Sequence, residues 1–113
     1  MPCRFAYSAI HFYAKVAAGS LAAVHIAFPD QHTDPAGALC TQSPQQCYDH
    51  FAADRTLTTN WAEYTVAFSD LNQFGWGANN VTALDASHLF GLQFMWTTPA
   101  MDLWLDDISF VVK

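Results

Sequence analysis

Three segments in the second half of the chain alternate apolar and polar residues with a period of two. They cover residues 61–71, 89–96 and 101–110. This is the period of a strand with one face on a core and the other in water. Residues 9–16 and 21–28 alternate in the same way. Since no segment has a convincing long helical period, the pattern predicts an all-β domain.

The two early segments predict a β-hairpin. Phe12 lies in the inward-facing row of the first segment, and Ile26 lies in that of the second. A turn at Gly19 separates the two segments. Two alternating runs joined by a short turn are typical of adjacent antiparallel strands. We therefore expect the outward residues Tyr13 and His25 to line the same sheet.

Two long connections interrupt the strands, at residues 29–60 and 72–88. Connections of this length in a compact domain are usually functional. Within the second, residues 83–89 can form one helical turn with Asp85 as its N-terminal cap.

Cys40 and Cys47 flank a loop-like stretch inside the first connection. The sequence predicts a disulfide between them, and two free thiols are the alternative. A disulfide indicates an oxidising, extracellular setting and hence a secreted protein. Cys3 is then left over and could link two chains.

Composition argues against nucleic acid and membranes as partners. The 113 residues suit a single domain, and apolar residues make up 52% of them, enough for a packed core. The net charge is −6 with only four basic residues, which argues against nucleic acid and against anionic membrane surfaces. No apolar run approaches the roughly 18 residues of a membrane span.

Catalysis has little support in the sequence. A glycosidase needs two carboxyl groups about 5 to 9 Å apart. The chain has a single glutamate, Glu63, on the outward face of a predicted strand, and its aspartates fall mostly in loops or at strand ends. We expect that the protein is not an enzyme.

Four strings, taken together in their order and spacing, resemble the carbohydrate-binding modules of family 11 and of the related family 81. They are residues 12–15, 61–71, 91–96 and 103–110. Those modules are galactose-binding-like jelly-roll β-sandwiches attached to secreted β-glucanases. The resemblance implies that residues 1–113 are a module targeting a linked glycoside hydrolase to plant cell-wall β-glucan. It would bind cello-oligosaccharides, mixed-linkage β-glucan or xyloglucan in an open groove, without hydrolysing them.

The chain departs from the family at its start. Family members carry further strands before the position of Ser8, and these contribute part of the binding face, so none of those binding residues can be carried over. An uncovered sheet edge would invite pairing between chains, which predicts a homodimer. It also leaves open a different function, a small β-sandwich for protein interaction or assembly.

The resemblance places three ligand contacts near the long connections. Trp96 matches a position where an aromatic ring stacks on glucose. Gln93 matches a polar contact, for which an amide offers both a donor and an acceptor. His50 lies at the family's offset from Trp61 for a ligand-binding histidine. The alternatives are that Trp96 seals the end of the sandwich, that Gln93 is a solvated strand residue, and that His50 is a loop residue held near the disulfide.

Further binding candidates are less specific. Trp76 lies between two glycines in a connection that borders the cleft in the family, and Gln73 lies beside it. Tyr13 and His25 are candidates from the outward faces of the early segments. Trp61 is expected in the core, and Trp104 is not expected to contact ligand.

The resemblance also implies a structural Ca²⁺. In the family an aspartate of the closing strand helps to hold this ion, and Asp106 is the residue that matches. Calcium requires six to eight oxygen ligands, and the usual partners of this aspartate lie in the N-terminal strands that this chain lacks.

Overall fold

The prediction of an all-β chain is confirmed by the computed structural model, which describes residues 7–19, 23–43, 45–77, 83–96 and 102–112. Across these ranges the chain forms strands and short 3₁₀ turns, and no α-helix. The strands are β1 (Tyr7–Val16), β2 (Ala23–Phe28), β3 (Phe51–Thr56), β4 (Ala62–Ala67), β5 (Gln93–Met95) and β6 (Leu103–Val112). The 3₁₀ turns are Pro35–Gly37, Phe68–Asp70 and Ala86–His88.

The strands form two antiparallel three-stranded sheets. Sheet A has the order β4-β1-β6, and sheet B has the order β3-β2-β5. The predicted hairpin is therefore wrong, because β1 and β2 lie in different sheets. Alternation in each strand identifies the face that the core covers, and it carries no information about which strand lies alongside.

One hydrophobic core joins the two sheets. Phe12 of β1 is fully buried, with its ring stacked on Tyr64 of β4 at 5.5 Å between centroids. The same ring meets Phe94 of β5 edge to face at 5.4 Å. The predicted inward row of β1 is buried throughout, and so is that of β2. The alternation therefore gave the correct inward faces for both strands.

Strand β3 lies within the segment that was expected to be a long connection. Its sequence, Phe51–Thr56, contains two alanines, an aspartate and an arginine, and lacks the β-branched runs that signal a strand. Pairing with β2 over its full length holds it in place, and Ala52 forms an isolated bridge to Asn72 on its other side. Tertiary pairing rather than local propensity forms this strand.

A buried aspartate organises the start of the first connection. Asp30 is fully buried, and its Oδ1 accepts hydrogen bonds from the backbone N–H groups of His32 and Thr33 at 2.9 and 3.1 Å. Its Oδ2 accepts from the backbone N–H of Asp85 at 2.9 Å, which ties the two long connections together. Asp85 also accepts from the backbone N–H of Ser87, so it caps its 3₁₀ turn as predicted.

The predicted disulfide between Cys40 and Cys47 is present. It closes a loop of the first connection, and Cys47 is fully buried. Cys3 lies outside the described residues. None of the elements described is a helix long and apolar enough to cross a membrane.

Candidate functional site

An apolar groove runs over the outer face of sheet B. Its volume is about 540 Å³. Strand β2 forms the floor, β3 one side and β5 the other. The lining residues are Ala23, Val24, His25, Asp54, Phe74, Met95 and Trp96. Of the predicted site residues, this groove brings together His25 and Trp96.

His25 is the polar centre of the groove. The register of β2 places it opposite Asp54 on one side and Met95 on the other, so the three side chains share a face. Its Nδ1 lies 2.7 Å from Oδ1 of Asp54. The ring of Phe74 stacks on the imidazole at 5.4 Å between centroids and 12° between planes. The histidine is thereby held between a carboxylate and an aromatic face.

The segment that carries Phe74 is anchored by a second buried aspartate. Asp49 is 2% exposed. Its carboxylate accepts hydrogen bonds from three backbone N–H groups, those of Phe74 at 2.8 Å, Gly75 at 2.8 Å and Gly77 at 3.0 Å. Bonds between a carboxylate and N–H donors are among the stronger hydrogen bonds in proteins. One side chain thus sets the conformation of residues 73–77, which we call the Asp49 loop.

The two glycines of the Asp49 loop have different roles. Gly75 has a φ of +100°, which side-chain-bearing residues rarely adopt. At Gly77 an added Cβ would lie 2.9 Å from the carbonyl oxygen of Gln46, closer than real contacts permit. The first glycine permits the turn, and the second permits close approach of two backbones.

The remaining candidates near sheet B lie beside the groove. Gln93 is exposed and faces the same side as Met95, two residues away along β5. Gln73 donates from Nε2 to the carbonyl oxygen of Asp49 at 2.8 Å, so it supports the Asp49 loop. Trp76 is exposed on that loop and does not line the groove.

His50 is a buried residue outside the groove. It is 8% exposed, and its Nδ1 lies 2.7 Å from Oγ1 of Thr33. Burial lowers the pKa of the imidazole, against opposing effects of Asp34, Asp30 and Asp49. The contact with Thr33 ties His50 to the first connection, and a ligand contact at His50 stays a prediction.

Tyr13 lies on the other side of the molecule. It belongs to β1, and its row faces outward from sheet A, so the expectation that Tyr13 and His25 line one sheet is wrong. Its hydroxyl donates to Oε2 of Glu63 at 3.0 Å. The expectation that Trp61 is a core residue is also wrong, since Trp61 is 48% exposed on the same outer face.

Asp106, the predicted calcium ligand, faces outward from sheet A opposite Tyr13. Its Oδ1 accepts from the backbone N–H of Asp107, a residue with a φ of +50° at an irregularity of β6. Across the described ranges, no three histidine, cysteine, aspartate or glutamate side chains are grouped so that they could hold a metal. Calcium also accepts backbone carbonyl, amide and water oxygens as ligands, so calcium binding at Asp106 stays a prediction.

Sequence reasoning missed Phe74, Asp54 and Met95. Met95 could have been found, because it shares the strand face of Gln93. Asp54 lies on the unpredicted strand β3, and Phe74 is brought to His25 by a loop whose anchor, Asp49, is remote in sequence. The sequence feature that could have pointed to Phe74 is its position directly before a glycine, in a predicted connection.

Comparison of the chain with known protein families, with curated proteins and with solved structures gives no match. The geometry of the groove is therefore the basis for a functional proposal.

Proposed function

We propose that the protein is a non-catalytic module that binds β-1,4-containing glucans in the groove of sheet B. The observation that carries the proposal is the convergence of Trp96 and the Phe74–His25 stack on one groove of about 540 Å³. Two exposed aromatic groups can contact the C–H faces of sugar rings. The His25–Asp54 pair supplies a hydrogen-bonding group in the same groove.

The groove suits a neutral chain of sugars better than other ligands. The charged group that lines it is Asp54, paired with His25, and the remaining lining residues are apolar or aromatic. Sugar hydroxyls both donate and accept hydrogen bonds, so they can use an imidazole, a carboxylate and the nearby amide of Gln93. The preferred glucans are cello-oligosaccharides, mixed-linkage β-glucan and xyloglucan.

The family resemblance extends this proposal to three further features of the protein. They are jelly-roll connectivity, secretion, and tethering of a linked glycoside hydrolase to plant cell-wall β-glucan. Tethering would raise the effective concentration of the hydrolase at its polymer. The Cys40–Cys47 disulfide is consistent with an extracellular location.

Replacing Trp96 by alanine is expected to weaken glucan binding by about 1 to 3 kcal/mol, because truncating a stacking aromatic removes a binding hot spot. The wild-type Kd for cellohexaose is expected in roughly the micromolar to millimolar range, or about −4 to −8 kcal/mol. Isothermal titration calorimetry with cellohexaose and xyloglucan oligosaccharides measures the wild-type Kd and its change in Trp96→Ala. Release of reducing sugar by the wild type would exclude a non-catalytic module.

Trp76→Ala is the matched control for Trp96→Ala. Trp76 is an exposed tryptophan of the Asp49 loop and lies outside the groove lining. We expect this variant to bind glucan like the wild type. Equal loss of affinity in both variants, or an unchanged Kd in Trp96→Ala, would contradict the proposed site.

A second candidate function, assembly with another chain, is favoured by the end of β6. This ten-residue strand lies at the edge of sheet A among the described strands. Beyond the irregularity at Asp107 its apolar side chains are exposed, and Phe110 also lines a second cavity of about 480 Å³. An exposed apolar edge strand is a template for pairing with another chain. The exposed residues are Ile108, Phe110, Val111 and Val112.

We therefore expect the protein to form a homodimer through β6. Sedimentation equilibrium at several concentrations, with and without reductant, measures this directly. Ile108→Lys should shift the population to monomer, because a charge at a paired edge opposes strand addition. A chain of 12.5 kDa at every concentration would contradict the assembly function and would leave glucan binding untouched.

A further inference from the structure

The outer face of sheet A carries two tryptophans that the groove does not use. The register pairs Trp104 of β6 with Lys15 of β1. Nζ of Lys15 lies 5.0 Å from the ring centroid of Trp104 and 5.4 Å from that of Trp61. Trp61 is 48% and Trp104 is 45% exposed. Lys15 of β1 and Trp104 of β6 thus form a row with Trp61, which directly precedes β4.

A polar row runs beside the tryptophans. Glu63, Tyr13 and Asp106 are paired across the same three strands and face the same side. Tyr13 donates to Glu63 at 3.0 Å, and Nε2 of His11 lies 3.3 Å from the other carboxylate oxygen. The hydrogen bonds from Tyr13 and His11 lower the pKa of Glu63. We call these two rows, Trp61–Lys15–Trp104 and Glu63–Tyr13–Asp106, the tryptophan platform.

The platform has the chemistry of a binding surface rather than of a packing surface. A tryptophan stabilises a fold mainly through the area that it buries, and both of these indoles leave nearly half of their surface in water. Their faces flank a cation, and hydrogen-bonding groups follow one row away. Aromatic faces beside donors and acceptors match a flat, hydroxyl-rich ring.

The charges of the platform select among such ligands. Lys15 contributes one positive charge, whereas Glu63 and Asp106 contribute two negative charges. An acidic polysaccharide would meet net repulsion, although Lys15 alone could attract it. A neutral chain avoids this repulsion, and its hydroxyls can accept from the Lys15 ammonium and donate to the two carboxylates.

We propose that the tryptophan platform is a second binding site, for a neutral β-linked polysaccharide chain. It lies on the outer face of the sheet opposite the groove, so the two sites cannot share one stretch of ligand. A protein with both sites would bridge two chains of polysaccharide, and its avidity for a polymer would exceed its affinity for an oligosaccharide. The platform does not depend on the groove, and either site can exist without the other.

The test uses the indole N–H signals of the four tryptophans in a ¹H–¹⁵N correlation spectrum, assigned with single Trp→Phe variants. Titration with cellohexaose should shift the signals of Trp61 and Trp104 with one affinity and that of Trp96 with a second. In Trp104→Ala we expect the affinity reported by Trp61 to fall at least tenfold, while that reported by Trp96 is unchanged. Trp104→Phe, which keeps an aromatic face, should retain most of the affinity.

Two controls separate the platform from a general perturbation. Thr65→Ala alters an exposed outward residue of β4, two positions beyond Glu63, and should leave the titration unchanged. An oligogalacturonate, as an acidic probe, should cause no shift at Trp61 or Trp104.

Each outcome decides between the two sites. Shifts confined to Trp96 would overturn the platform and support the groove, whereas shifts confined to Trp61 and Trp104 would support the platform and overturn the groove. An unchanged Trp61 titration in a folded Trp104→Ala protein would overturn the platform, as would a response only to the acidic probe. A protein whose tryptophan signals all ignore cellohexaose has neither site.

Discussion

Replacing Asp49 by alanine is expected to lower the free energy of unfolding by about 3 kcal/mol or more. Each hydrogen bond to a charged group contributes about 1.5 to 3 kcal/mol to stability. The loss is smaller than the sum of the three bonds, because the freed N–H groups can form hydrogen bonds with water. The carboxylate is buried and holds the N–H groups of Phe74, Gly75 and Gly77. Its removal leaves three donors without their acceptor at once. Urea unfolding followed by far-ultraviolet circular dichroism measures the loss.

The same change should weaken glucan binding at the groove, as reported by the indole signal of Trp96, at least tenfold. Phe74 reaches His25 only through the Asp49 loop, and Phe74 is 76% exposed, so little besides the imidazole stack holds its ring. Asp49→Asn keeps one acceptor oxygen and should be intermediate in both measurements. Asp70→Ala, at an exposed aspartate of a nearby 3₁₀ turn, is the control. Wild-type stability in Asp49→Ala would show that the loop does not depend on this carboxylate.

The faces of the strands could be predicted from the sequence, and their neighbours could not. Alternation reports whether a side chain meets apolar or aqueous surroundings, which is a local property of each strand. The buried rows of β1 and β2 followed from it directly. Strand pairing depends on contacts between residues that are remote in sequence. The neighbours of β1 are β4 and β6, not β2.

Because the predicted strand pairing was wrong, two of the predicted site residues lie in different sheets. With β1 and β2 as neighbours, Tyr13 and His25 would lie side by side, whereas the two sheets place them on opposite outer faces. Trp96 and His25 do share a groove, because β5 pairs with β2. Phe74 and Asp49 could not be placed from sequence, since a loop conformation fixed by a remote carboxylate leaves no periodic signal.

Trp61 illustrates a further limit of sequence pattern. A tryptophan at the start of an apolar strand was expected to be buried, yet it stands beside Lys15 on the outer face. The inward row of β4 is instead formed by Ala62, Tyr64 and Val66. Tryptophan is large and amphipathic, so its position at a strand end is compatible with either face.

Phe12→Ala is expected to destabilise the protein by about 3 to 5 kcal/mol, the usual cost of truncating a buried phenylalanine. The ring of Phe12 contacts both Tyr64 within its own sheet and Phe94 of the opposite sheet. The deletion therefore opens a cavity where the two sheets meet. A domain of this size is stable by only about 5 to 15 kcal/mol in total, so the variant should unfold at a clearly lower urea concentration.

Trp61→Ala is the matched control, because it removes a larger aromatic group from an exposed position. Its expected cost is about 1 kcal/mol, typical of a substitution outside the core, including the loss of its contact with Lys15. If Trp61 were a core residue, as its sequence context suggested, the two variants would be destabilised to a similar extent. Urea midpoints measured side by side distinguish these cases. A larger loss in Trp61→Ala than in Phe12→Ala would mean that the core does not lie between sheets A and B.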